Sequence, residues 1–392
     1  MSPLLAVLAV TVLQASFQPD TVLAVPGGPR VVLVNSVDGG VAALRLSVPL
    51  EEGPSEAGAG QVLRDLALDR MLGLAGPVGA RVSATRTPWG LAYSVEGAAV
   101  DLEYLTYLLR EAVAEPESDA LSLDRSRQRL AEDIARRVET PAGRLISDLQ
   151  RAAAPHLPPL RGSQGTVASL DAARIRSVWW RSHRPEAMTL VVSAGVAPEV
   201  VLASVMGVGA VGSEGGPPLD APVSTAARSA RPQSLRTWYG EAFGAGPPSD
   251  PHGPVAALLI SSILPERRQG FEAGIQLLAL RDTWLIIVAG AAYSGDVPAM
   301  RAAVSRAVSE ARARMTPETV RHAVERLRRD MLFEARTPGG LVEHIGRALD
   351  ISGAPSAASD YLAALGRVDA VSLGAYMDRM MSSGPATAEI TP

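Results

Sequence analysis

The stretch whose spacing could carry chemistry is 60–72, GQVLRDLALDRML. Leu66, Asp69 and Arg70 stand at i, i+3 and i+4, so a helix places them on one face. An H-x-x-E-H helix uses such a face to hold two metal-binding imidazoles beside a general-base carboxylate. Here Leu66 occupies the first imidazole position, Asp69 the carboxylate position and Arg70 the second imidazole position. Leucine offers no lone pair, and a guanidinium stays protonated, so neither ligates a cation. The stretch predicts the scaffold of a metal site without its ligands.

Other candidates are weaker. The histidines, His156, His183, His252, His322 and His344, include no pair at i, i+3 or i+4. Gly340-Leu-Val-Glu343-His344 matches the end of H-x-x-E-H, but glycine holds the first position, and a solvated helix face explains it better. Gly207-Val-Gly-Ala-Val-Gly212 fits G-x-G-x-x-G, yet it follows a helix and leads into a linker, whereas a dinucleotide site needs a strand before and a helix after. No G-x-S-x-G supports a serine nucleophile. The chain has no cysteine, which removes disulfides, thiol catalysis and thiolate metal sites. All its basic residues are arginine. The net charge of −4 gives no electrostatic reason to expect nucleic acid, and the Arg-rich helical stretches are interleaved with acids.

The elements that must position the 60–72 helix follow from periodicity. Residues 30–36 and 41–49 read as a strand pair across Asp38-Gly39-Gly40. Residues 80–99 return to strand character with a Pro-Trp-Gly interruption, and 100–115 have helical spacing. A long helical stretch over 121–154 breaks at Thr140-Pro141. A helix over 168–183, with Ser169 as N-cap, precedes an apolar strand at 187–193 and a helix at 198–206. Residues 207–230 are rich in Gly, Pro, Ser and Ala and read as a linker. Beyond it the order partly repeats: a strand at 234–243, a helix at 253–264, strands at 270–280 and 283–292, then three helical stretches to about 381. LVVSAGVAPEVV at 190–201 and LIIVAGAAYSGDV at 285–297 hint at duplication. Residues 1–16 contain an apolar run, Leu4 to Leu13, of signal-peptide length, followed by small residues. The expected organisation is a signal peptide at 1–16, a domain at 17–206, a linker at 207–230 and a domain at 231–392. No later apolar run is long enough for an integral membrane segment.

This order resembles the insulinase/pitrilysin family of zinc metallopeptidases, in particular its processing-peptidase branch. The resemblance is carried by RVVLVNS with VAALRLSVP, by the 60–72 helix, by DLEYLTYLLREAV and LAEDIARRVETPAGRL, and above all by SLDAARIRSVWWRSHRPEAMTLVVSAGV at 169–196. It implies an α+β fold of two related α/β-sandwich domains, each a mostly antiparallel sheet with helices on one face. It places the zinc ligands at Leu66, Arg70 and Asp133 and the general base at Asp69, and only Asp133 of the three ligand positions could bind metal. The expectation is a homologue with no catalytic residues, no metal and no cofactor. An ion pair of Arg70 with Asp133 or Asp69 would replace the metal. Arg86 and Tyr93, seven apart, resemble a pair that holds substrate in the family, and a guanidinium and a phenol can hydrogen-bond a peptide carbonyl. By resemblance, the chain forms a periplasmic or secreted heterodimer with a catalytic zinc peptidase paralogue and helps orient an unfolded peptide. The alternative is a stand-alone envelope binding or scaffold protein.

Overall fold

The computed structural model describes residues 17, 19, 21–34, 39–116, 120–157, 159–208, 234–263, 271–292 and 297–391. The 1–16 segment and nearly all of the 207–230 stretch lie outside the described residues. The fold is mixed α/β, with two sheets. No helix among the described residues is long and apolar enough to cross a membrane.

The first unit comprises residues 1–131, 160–226 and 330–360. Its strands are β1 (Thr21–Ala24), β2 (Arg30–Val34), β3 (Val41–Pro49), β4 (Arg81–Thr87), β5 (Gly90–Ala98) and β6 (Thr189–Ser193), in the order β1-β2-β6-β3-β5-β4. The strand pair expected from 30–36 and 41–49 does not form. Instead β6 lies between them, parallel to β2 and antiparallel to β3, with Val32 and Leu44 opposite Val191 and Val192. The reason is burial. TLVVS is almost wholly apolar and Leu190, Val191, Val192 and Ser193 are all buried, as a central strand requires. The hairpin at 81–98 forms as its pattern predicts, with Pro88 and Trp89 at the turn. Gly90 is needed there, because a Cβ would stand 2.1 Å from the Val48 carbonyl oxygen.

Helices α1 (Ala59–Ala75), α2 (Leu102–Val113), the start of α3 (Ala120–Glu139), α5 (Gln164–Ala168), α6 (Ala172–Ser182) and α7 (Pro198–Val205) also belong to this unit. The cap of α6 is Asp171, whose carboxylate accepts from the Arg174 amide at 2.8 Å, whereas Ser169 closes α5. Ser169 is therefore not the N-cap expected: the helix starts two residues later, where the Asp171 carboxylate takes that role.

Strand β3 is buried along seven successive residues, not alternately. Leu44 shares a face with Gly97, where Leu105 of α2 packs. Arg45 faces the opposite way and meets a helix from far along the chain, α11 (Pro338–Ser352). Helices therefore cover both faces of this sheet, not one as expected.

The second unit, residues 132–159, 227–329 and 361–392, has the sheet β10-β7-β9-β8. Its strands are β7 (Thr237–Gly244), β8 (Phe271–Ala279), β9 (Trp284–Ala292) and β10 (Ala386–Ile390), the last not anticipated from sequence. On one face α4 (Pro141–Ala153) buries Leu145 and Leu149 against Ala242, Leu285 and Ile287. The other face carries Glu241, which accepts from Ser305 on α9 (Val297–Ala313) at 3.0 Å. This unit also contains α8 (His252–Ile263), most of α10 (Pro317–Glu334), the second half of α12 (Ala357–Leu365) and α13 (Ala370–Ser382). The region expected to hold three helical stretches thus holds five helices.

Each sheet accordingly takes one helix from the other half of the sequence, α4 in one case and α11 in the other. Both helices open alike. Thr140-Pro-Ala-Gly143 and Thr337-Pro-Gly-Gly340 each place a threonine N-cap whose hydroxyl accepts from the glycine amide three residues on, at 3.2 and 3.1 Å. A Cβ at Gly143 or Gly340 would lie 2.2 or 1.8 Å from a backbone oxygen of the preceding helix.

Candidate functional site

Helix α1 delivers Leu66, Asp69 and Arg70 on one side, as their spacing predicts, but each is engaged differently. Arg70 is half-buried. It donates to the carbonyl oxygens of Glu111 at 2.7 Å, Glu115 at 3.3 Å and Ala114 at 3.4 Å. These carbonyls lie at the C-terminal end of α2, where a helix leaves acceptors unsatisfied and carries partial negative charge. Trp179 of α6 seals the same end, donating its indole N–H to the Val113 carbonyl at 3.1 Å. Asp69 is exposed and pairs with Arg129 of α3 at 2.6 Å. Asp133 belongs to the second unit and pairs with Arg137, one turn along its own helix, at 3.3 Å. The hydrogen bonds of Arg70 thus run to backbone oxygens, and Asp69 takes a different arginine. Residue types point to carboxylates as partners of Arg70, because backbone carbonyls have no signature in a sequence.

Leu66 and Arg70 line a small cavity of about 10 Å³ together with Tyr93 of β5, Pro116, Trp179 and His183. Tyr93 is fully buried, and burial pushes its phenol pKa upward, partly opposed by the charges of Arg70 and Arg64. His183 ends α6. Its ring stacks on Trp179 with centroids 5.6 Å apart, and Nδ1 lies 3.2 Å from the Trp179 carbonyl oxygen. A carbonyl only accepts, so Nδ1 carries the proton. Burial lowers the His183 pKa from 6.5 to about 3, so the ring is neutral near neutral pH. Trp179 and His183 stand at i and i+4, a relation visible in the sequence but not singled out from it.

The sign of the pH effect follows. Between pH 6.5 and 3 the unfolded chain binds a proton at position 183 that the folded chain does not, so stability falls as pH falls through this window. The expected contribution is roughly 4 kcal/mol across it. Comparing urea unfolding of the protein and of His183→Gln from pH 7 to 4 checks this. The two should converge as pH falls, and parallel curves would refute it.

Arg86 of β4 is not free to hold substrate. It pairs with Glu52 at 2.8 Å, with both side chains almost wholly buried, and donates to the carbonyls of Thr87 and Gly90. Glu52 also accepts from the Gly60 amide in the first turn of α1. This pair therefore anchors the edge strand β4 to the N-terminus of α1. Arg86 and Tyr93 stay seven residues apart on adjacent strands with different surroundings: one locked in an ion pair, the other facing the pocket. Among the described residues no group of three or more His, Asp or Glu side chains is placed to hold a metal ion.

Neither a family model nor a curated protein matches the chain. Solved structures do. A protease from Helicobacter pylori superposes with a TM-score of 0.80 at 13% identity, over 96% of this chain and 100% of that one. A peptidase M16 inactive domain from Pseudomonas fluorescens gives 0.75 at 13% identity, over 94% of this chain and 96% of that one. The fold is M16-like. A chain of Complex III2 from Candida albicans, with Inz-5 bound, gives 0.71 at 10% identity, over 94% and 95%. At these identities the likeness concerns the fold; the chemistry must be argued from the side chains.

Proposed function

We propose that the protein is a non-catalytic M16-like subunit that pairs with a zinc-bearing paralogue and helps form the chamber in which that paralogue cleaves unfolded peptide. The observation that carries this reading is the fate of position 70. In place of an imidazole it has a guanidinium committed to the C-terminal carbonyls of α2, while Leu66 faces an apolar wall. The face that would present two ligands has become part of the packing. Two of the similar structures favour the rest: one is an inactive M16 domain, the other a chain of a larger complex.

Peptide binding would use main-chain pairing. β4 is an edge strand of the six-stranded sheet and lies beside α1, so its outer edge offers amide and carbonyl groups to an extended chain. Tyr93 remains the candidate side-chain contact of the two expected, since Arg86 is held by Glu52. The partner's zinc-activated water would supply the chemistry. A periplasmic or extracellular location is part of the proposal, supported by the apolar run of signal-peptide length at 4–13.

Metal content and peptidase activity of the purified chain, alone and mixed with its H-x-x-E-H-bearing paralogue, test the proposal. The expected result is no stoichiometric zinc and no activity alone, with cleavage above the paralogue's own level on mixing. Zinc at one equivalent in the isolated chain would overturn the non-catalytic reading. No effect on the paralogue would overturn the pairing and leave the stand-alone scaffold.

A further inference from the structure

The edge of a sheet is a row of unpaired amide and carbonyl groups, and proteins shield such edges by keeping them short, charged or covered. Three of the edges of the two described sheets follow that rule. β1 has four residues, β10 has five and includes Glu389, and β4 carries Arg81 and Arg86. The fourth, β8, does not. It runs for nine residues in unbroken register with β9, from Phe271 opposite Ala292 to Ala279 opposite Trp284. From Ala273 to Ala279 it has no charged residue and no proline. Among the described elements it packs on β9 and α8, and no described strand pairs with its other side. Ile275 stands opposite Val288, which stands opposite Glu241, so Ala273, Ile275 and Leu277 share the sheet face that carries α9. All three are only half-buried, while Ile286 and Val288 beside them on β9 are wholly buried. What they lack is a neighbour beyond β8.

We propose that β8 pairs antiparallel with β8 of a second copy of this chain, about a two-fold axis at Ile275. Such an axis stands perpendicular to the sheet, so every side chain keeps its own face. Ile275 then meets Ile275 of the other copy, Ala273 meets Leu277, and Gly274 meets Gln276. Apolar residues face apolar residues on one side, and no charge between 273 and 277 meets its like. The run Ala-x-Ile-x-Leu at 273–277 is thus its own complement. A foreign peptide would cover one set of half-buried residues, whereas a second copy brings the same set to the same place and covers both. A contact this narrow lies at the low end of interface sizes, so a dissociation constant on the order of ten micromolar is expected. The inference concerns the isolated chain and does not depend on pairing with a paralogue.

Analytical ultracentrifugation of the full chain over a concentration series tests this, and it should show a reversible monomer–dimer equilibrium. Gln276→Lys adds a charge at an exposed position of the edge. It should melt close to the unaltered chain in dilute solution and weaken the dimer about tenfold or more. The register has its own test, because the chain contains no cysteine and a single introduced thiol can bridge only to another copy. Directly opposed residues bring their Cβ atoms to about 5 Å, near disulfide reach, and diagonal ones stay about 7 Å apart. Under mild oxidation Ile275→Cys should therefore form a covalent dimer much faster than Gln276→Cys. A chain that stays monomeric up to about 100 µM would overturn the inference, being at least tenfold weaker than expected. So would a dimer that Gln276→Lys leaves intact, or equal cross-linking at 275 and 276. A monomer whose melting temperature rises with an added Val-Thr-Val-Thr-Val peptide would also overturn it, handing the edge to peptide binding instead.

Discussion

Replacing Asp350 by alanine is expected to lower the stability of the protein by about 3–5 kcal/mol, because it strands a buried guanidinium. Arg45 sits in the middle of β3 with no exposed surface. Its Nη2 meets Asp350 at 2.7 Å, its Nε meets Glu343 at 2.9 Å, and Nη1 donates to the Ser47 hydroxyl. Burial works against the charge on Arg45, but the two carboxylates outweigh it and hold its pKa above the usual arginine value. Glu343, Gly346 and Asp350 stand at i, i+3 and i+7 on α11, so one helix face presents both acids with a glycine between them. That glycine is required, since a Cβ there would lie 2.4 Å from the Arg45 Nη1. The acids are not equivalent. The Glu343 side chain is 35% exposed and that of Asp350 is 9% exposed, so Glu343→Gln should cost distinctly less than Asp350→Ala. Urea unfolding of both variants measures the difference. The double change Arg45→Met with Asp350→Leu should recover most of the loss, because it removes the stranded charge and fills the space. An Asp350→Ala variant within about 0.5 kcal/mol of the unaltered chain, the range of ordinary surface substitutions, would refute the clamp.

Much of the fold could be read locally. The 81–98 hairpin, the break at Thr140-Pro141 and the helix carrying 66, 69 and 70 each follow from turn chemistry or period over a few residues. The failures that alter the architecture are long-range. Nothing within 30–49 shows that β6, some 140 residues later, will enter between β2 and β3, because strand order depends on which apolar strand needs two buried faces. Arg45 on an otherwise apolar strand was the visible sign that something polar covers its face, but its partners lie about 300 residues away. The two Thr-Pro-x-Gly helix starts were a repeat in plain view. They mark the helices that change units, and they support duplication better than the apolar strings that start in β6 and β9 do. At the site, residue types were enough to show that Leu66 and Arg70 cannot ligate metal. They could not show where Arg70 would turn, because helix-end carbonyls depend on geometry and not on side-chain identity.

The exchange of α4 and α11 leads to the prediction with the largest effect: residues 17–206 expressed alone should not fold cooperatively. That piece keeps every strand of the six-stranded sheet but lacks α11, which covers the face of β3 that carries Arg45. Arg45 would lose both carboxylates, and the apolar contacts of the buried Leu341, Ile345 and Leu349 on α11 would be lost as well. A fully buried leucine or isoleucine contributes roughly 1.5–3 kcal/mol. The total is comparable to the ~5–15 kcal/mol that holds a typical domain together. The converse piece, 207–392, lacks α4 and would expose Ala242, Leu285 and Ile287, on which Leu145 and Leu149 now pack. Co-expressed, the two pieces should recover one another as a 1:1 complex that copurifies and melts cooperatively, since each supplies the helix the other needs. Sharp unfolding of 17–206 alone would mean that the linear halves are autonomous domains and the exchanged helices mere surface additions. Aggregation of each piece alone, with rescue on co-expression, would mean that neither half of the sequence encodes a complete core.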